Sequence, residues 1–189
     1  VSFAAFANAI NKVAHCIEAT LGRSDSFETI MYLGVPDLRY YMLLYAVCKT
    51  GHKVLFSSHH NSLEMHLSLM NQTSCRYLLL SRGVYAGDIL EKRPMPTAEL
   101  PELDDLLNLN DMAPPFPYTK TYEEAKDDPF VIVHTSGTTG PPKPITYTHA
   151  SMATVSSATR DVPVFLSAGF TTELPCFVLF LCPRFVPVW

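Results

Sequence analysis

Four short apolar runs constrain this chain most. They are residues 28–33 (Glu-Thr-Ile-Met-Tyr-Leu), 53–56, 76–80 and 130–134. None alternates cleanly between apolar and polar residues, as a strand with one wet face would. Such runs suit strands buried on both faces of a parallel sheet. Segments with helical spacing stand between them. Phe3, Phe6, Ile10, Val13, Ile17 and Leu21 recur at intervals of three and four. That spacing predicts an amphipathic helix over 2–21, stopped by Gly22. Pro36 opens a second helix, from about Asp37 to Thr50, with nearly continuous apolar content, and Gly51 closes it. Asn61 or Ser62 caps a third, running to about Thr73, with Glu64 near its start. The alternation reads as α/β, with a doubly wound parallel sheet.

Residues 81–129 differ in character. Pro94, Pro96, Pro101, Pro114, Pro115 and Pro117 interrupt any long element, leaving room for a short helix from about Ala98 to Leu107. The acidic run Glu123, Glu124, Asp127 and Asp128 reads as a solvated loop or helix face. A net charge of −4 argues against a nucleic-acid partner. No run of about 20 uncharged residues exists to span a membrane. The five cysteines (Cys16, Cys48, Cys75, Cys176, Cys182) form no CxxC pair, so they read as buried or free thiols in a reducing, cytoplasmic setting. The chain opens on Val1, and is expected to be processed or incomplete at its start.

The apolar run at 130–134 leads straight into Thr-Ser-Gly-Thr-Thr-Gly-Pro-Pro-Lys, residues 135–143. Gly137 and Gly140 let backbone N–H groups approach an anion closely. Thr135, Ser136, Thr138 and Thr139 supply hydroxyl donors, and Lys143 a mobile positive charge. The pattern suits phosphate. The spacing is not that of a Walker A loop, and no GxGxxG is present. The bland reading is a polar surface turn between a strand and a helix that begins near Thr148 or His149.

Residues 132–143, Ile-Val-His-Thr-Ser-Gly-Thr-Thr-Gly-Pro-Pro-Lys, resemble the phosphate loop of the AMP-binding, acyl-adenylate-forming enzymes. Pro144 stands where most members have glycine. Together with Ile145, Thr148-His149, the stretch Pro36-Asp37-Leu38-Arg39-Tyr40 and Asn61-Ser62, this resembles fungal peptide-synthetase-like enzymes, including adenylate-forming reductases. The resemblance implies that a carboxylic acid attacks the α-phosphorus of ATP, with Mg2+ sharing the charge. The acyl group then passes to a phosphopantetheine thiol on a carrier protein. By matching position, Thr135, Ser136, Gly137, Thr138, Thr139, Gly140 and Lys143 are the ATP-phosphate contacts.

The family's later motifs, including its magnesium-binding acid and catalytic lysine, are not found in 144–189. The resemblance implies a partial adenylation domain over 1–161, the N-terminal region of the adenylate-forming fold. Residues 162–189 read as an atypical apolar tail, foreign to the family and poorly packed. The chain alone is expected to be inactive. Competing readings are a non-catalytic truncated remnant and a small phosphate-binding module.

Five histidines complete the candidates. His59, His60 and His66 fit no common metal spacing and read as solvated or helix-capping. His134 lines the nucleotide site or fills a strand position. His149 reads as a capping or packing residue. No metal site is expected.

Overall fold

The computed structural model describes residues 1–58, 60–135 and 141–159, the last five by backbone alone. Six strands form one sheet: β1 (Thr29–Leu33), β2 (Lys53–Phe56), β3 (Cys75–Ser81), β4 (Thr97–Leu100), β5 (Pro129–His134) and β6 (Pro144–Thr148). Their order is β4-β3-β1-β2-β5-β6. The first five run parallel, and β6 is antiparallel to β5. The long helices are α1 (Phe3–Leu21), α2 (Arg39–Thr50) and α3 (Leu63–Gln72); α4 (Gly87–Lys92), α5 (Leu103–Leu107) and α6 (Tyr122–Ala125) are short; α7 (His149–Thr159) follows β6.

The central strands explain their own composition. On β1, Ile30 and Tyr32 face one core with α1 and α2, while Met31 and Leu33 face a second core with α3 and α4. On β3, Leu79 joins the first core, and Leu78 and Leu80 the second. Both pleat faces are covered, so the run must be apolar throughout. The expected doubly wound arrangement is present.

The helix ends follow from local chemistry. Ser2 caps α1 by accepting from the Ala5 N–H, and Ser62 caps α3 by accepting from Met65. Gly51 ends α2 with φ +75°, a left-handed conformation that glycine adopts without strain. Helix α2 begins at Arg39, not Asp37; the Asp37 carboxylate instead accepts from the Arg39 N–H.

Two expectations are corrected. The helix expected over Ala98–Leu107 is split. Residues 97–100 form the edge strand β4, paired to Leu78–Ser81 of β3, and the helix begins only at Leu103. Pro101 has no N–H and disrupts a helix spanning both pieces. Phe3, assigned to the buried face of α1, is 73% exposed: the first turn overhangs the core. The strand β6 was not anticipated, although Ile-Thr-Tyr-Thr is rich in strand-forming residues.

The proline-rich connection is ordered largely by the polar side of α1. Asn8 Nδ2 donates to the carbonyls of Asn108 and Asp111, and its Oδ1 accepts from the Ala113 N–H. Asn11 accepts from the Phe116 N–H, and Lys12 donates to the Asp105 carbonyl. The acidic run is exposed at Glu123 and Glu124, where Thr121 and Glu124 form a capping box at the start of α6.

Candidate functional site

Strand β5 lies between β2 and β6 and ends at His134, where the Thr-Ser-Gly-Thr-Thr-Gly segment begins. Open α/β sheets bind ligands at the carboxyl ends of their strands. The chain returns at Pro144, which is paired with His134. Two hydrogen bonds close the neck of this turn. The Thr135 N–H donates to the Lys143 carbonyl at 3.2 Å, and the Lys143 N–H donates to Thr135 Oγ1, also at 3.2 Å. Thr135 and Lys143 are both exposed and are brought together. Ser136, Gly137, Thr138, Thr139 and Gly140 lie outside the described residues, as do His59, Cys176, Cys182 and the stretch 160–189.

Behind the neck is a polar cluster that the sequence reading did not assemble. Asn61 stands just before the α3 cap, and its Nδ2 donates to Ser57 Oγ at 2.9 Å and to His134 Nε2 at 3.2 Å. Ser57 Oγ lies 3.0 Å from His66 Nδ1. On its other side, His134 Nδ1 is 2.9 Å from the Thr135 carbonyl. The sequence expectation that His66 is solvated or helix-capping is corrected: it is buried, at 6% exposure, because α3 turns it under the end of β2. Burial, and after it the nearby His134, push its pKa below the usual imidazole value. His60 is exposed. A cluster signal was available in the recurrence of Ser, Asn and His over 57–66, but its link to residue 134 is purely tertiary.

His149 packs as anticipated. Its ring stacks on Phe130 at 4.6 Å with 6° between planes, and burial lowers its pKa. Cys16, Cys48 and Cys75 are free thiols, and burial pushes Cys48 up to about 12. Among the described residues, no group of three or more His, Cys, Asp or Glu is placed to hold a metal ion. Nor is any helix among them long and apolar enough to cross a membrane. A cavity of about 620 Å3 opens at the N-terminal end of β3, lined by Arg76, Arg93 and Pro96. It lies at the opposite end of the sheet from the β5–β6 turn. Arg93 is committed there to Asn71 and to the Cys75 carbonyl.

The sheet carries its polar strand-end turn where open α/β folds bind ligands. The family of AMP-binding enzymes matches residues 1–182, and the chain belongs to it. That match continues past residue 161 into the apolar tail. The isocyanide synthase-NRPS hybrid crmA of Aspergillus fumigatus is 42% identical over 179 residues, covering 93% of this chain and 11% of that protein. A carboxylic acid reductase of Neurospora crassa is 37% identical over 143 residues, covering 73% of this chain and 13% of the relative. The chain thus spans only about a tenth of these curated relatives. Among solved structures, O-succinylbenzoate coenzyme A synthetase (MenE) of Bacillus subtilis, in complex with ATP and magnesium, superposes with a TM-score of 0.64 at 17% identity. That superposition covers 84% of this chain and 40% of that one, and shows a shared fold.

Proposed function

We propose that this chain supplies the ATP-phosphate loop of an enzyme that activates a carboxylic acid as an acyl-adenylate. The acyl group then passes to the phosphopantetheine thiol of a carrier protein. In this reading Thr135, Ser136, Gly137, Thr138, Thr139, Gly140 and Lys143 contact the phosphates of ATP. The carrying observation is the closed neck at the carboxyl end of β5, which presents exposed Thr135 and Lys143 side by side. Both suit a polyphosphate: a hydroxyl donor and a mobile cation at a strand end. Magnesium would share the phosphate charge, but no residue of this chain is assigned to it. Family membership and relatives described as a peptide-synthetase hybrid and a carboxylic acid reductase support the acid substrate and the carrier.

Charge placement and alignment carry most of such phosphorus chemistry. Residues holding only the outer phosphates leave the α-phosphorus and the acid unaligned. The 189-residue chain is therefore expected to bind pyrophosphate but not to catalyse acid-dependent ATP–pyrophosphate exchange. Calorimetric titration checks the first point. Lys143→Ala should weaken binding roughly ten- to a hundredfold, since a hydrogen bond to a charged group contributes about 1.5–3 kcal/mol. Equal affinity in the variant would remove Lys143 from the site. Robust acid-dependent exchange by the chain alone would show that it holds the full catalytic set.

A further inference from the structure

The Ser57–Asn61–His66–His134 cluster has no part in the phosphate contacts proposed above, yet it abuts them. Its donors and acceptors can be assigned in sequence. The Asn61 amide nitrogen only donates, so His134 Nε2 must accept and carry no proton. The ring proton of neutral His134 then sits on Nδ1, where it donates to the Thr135 carbonyl. Ser57 Oγ accepts from the same amide and also lies 3.0 Å from His66 Nδ1. From Asn61 through His134 to Thr135, each hydrogen bond fixes the next. The last member, Thr135, is joined at both its N–H and its hydroxyl to Lys143. Helix α3 makes a second attachment: Gln72 Nε2, on its last residue, donates to the Pro142 carbonyl at 3.0 Å. Asn61, just before α3, and Gln72, at its end, thus hold the chain on both sides of the turn, at 134 and at 142.

We propose that His134 is a positioning residue: Asn61 locks its ring in the Nδ1–H form, and that ring sets the Thr135 carbonyl and the Thr135–Lys143 neck. This rests on the reading of residues 135–143 as a phosphate loop. Phosphate affinity would then depend on an amide, two residues upstream of α3, that touches no ligand. A side chain with two ring nitrogens is needed at 134, one accepting and one donating; an aromatic ring of similar size fills the space but breaks the relay.

Three measurements on the full 189-residue chain test this. Long-range proton–nitrogen correlation of the histidine rings at pH 7.5 should show His134 protonated at Nδ1; protonation at Nε2 would overturn the assignment. Amide hydrogen exchange at Thr135 and Lys143 should accelerate at least tenfold in both His134→Phe and Asn61→Ala. The double variant should be no faster than either single one, because the two changes break one chain of bonds. Ile30 and Leu79, in the central strands, should keep their protection and so report that the variants are folded. Unchanged or additive effects at Thr135 and Lys143 would overturn the proposal. Tripolyphosphate titration completes the set, with affinity expected to fall at least fivefold in each variant. Equal affinity in wild type and variants would overturn the role of His134. If the wild type binds no tripolyphosphate while the exchange coupling persists, the phosphate reading falls and His134 orders the turn alone.

Discussion

Gly34 follows β1, where the chain leaves the sheet for α2. A Cβ built on it would run into Tyr32 Oη and Ser81 Oγ. Those two atoms are hydrogen-bonded to each other at 2.7 Å, and Ser81 Oγ also accepts from the Val35 N–H. Tyr32 is fully buried, and Ser81 is 1% exposed, so neither can retreat into water. Gly34→Ala must therefore break the Tyr32–Ser81 bond or move the backbone. Overpacking of this kind destabilises by about 1–3 kcal/mol. Urea unfolding should show that loss. Tyr32→Phe removes only the hydroxyl and leaves the ring Cζ and Ser81 Oγ against the added Cβ, so Gly34→Ala should remain costly in that background. No loss from Gly34→Ala in either background would mean that this crowding is relieved without cost. Gly34 thus holds its place through crowding, which the sequence marks only as a turn after an apolar run.

At the scale of elements, the long helices and the central strands were legible because burial on two faces leaves a compositional mark. Ile30, Met31, Tyr32 and Leu33 alternate between two cores, so β1 had to be apolar. Edge strands leave a fainter mark. On β4, Thr97 and Glu99 are exposed while Ala98 and Leu100 are buried, and four residues containing Ala, Glu and Leu suit a helix equally well. The residues proposed to hold phosphate form a local string, whereas Asn61 and His134 meet across 73 positions of sequence and left no local trace. The connection around 108–116 is likewise set from afar, by α1. Asn8 sits at 2% exposure and serves three backbone groups at once. Removing its amide leaves the Ala113 N–H and two carbonyls short of partners, at about 1–3 kcal/mol for each group that stays buried. Asn8→Ala should lower stability by about 2 kcal/mol and open this segment to proteolysis. Subtilisin digestion read by mass spectrometry should give new cuts between 108 and 116 before β1 or β3 is touched. Cuts spread evenly over the chain would mean that Asn8 supports α1 generally and not the connection.

For the whole molecule, three histidines couple the fold to pH. His52 is fully buried, with Nδ1 on Thr50 Oγ1 and with Nε2 lacking a hydrogen-bond partner. Burial pushes its pKa below the ordinary value of 6.5, against smaller upward effects of Glu28 and the Thr50 backbone. His66 and His149 are lowered by burial as well. A base with a depressed folded pKa takes up its proton more readily when unfolded. Its contribution to stability is therefore full above pH 6.5 and is lost as pH falls through the lower, folded values. All three histidines act in the same direction. Among the described carboxylates, Glu124 is held below its usual 4.5 by the Thr121 backbone and hydroxyl, so its own loss comes only at more acid pH. Between pH 6.5 and 4.5 the histidines should dominate. The urea midpoint should hold steady from pH 8 to 7 and fall between 6.5 and 5. Burial dominates the lowering at His66, so His66→Gln, which removes one of the three imidazoles, should soften the decline. A midpoint that rises on acidification would show that these imidazoles are charged in the fold, and would reverse the sign assigned to their burial.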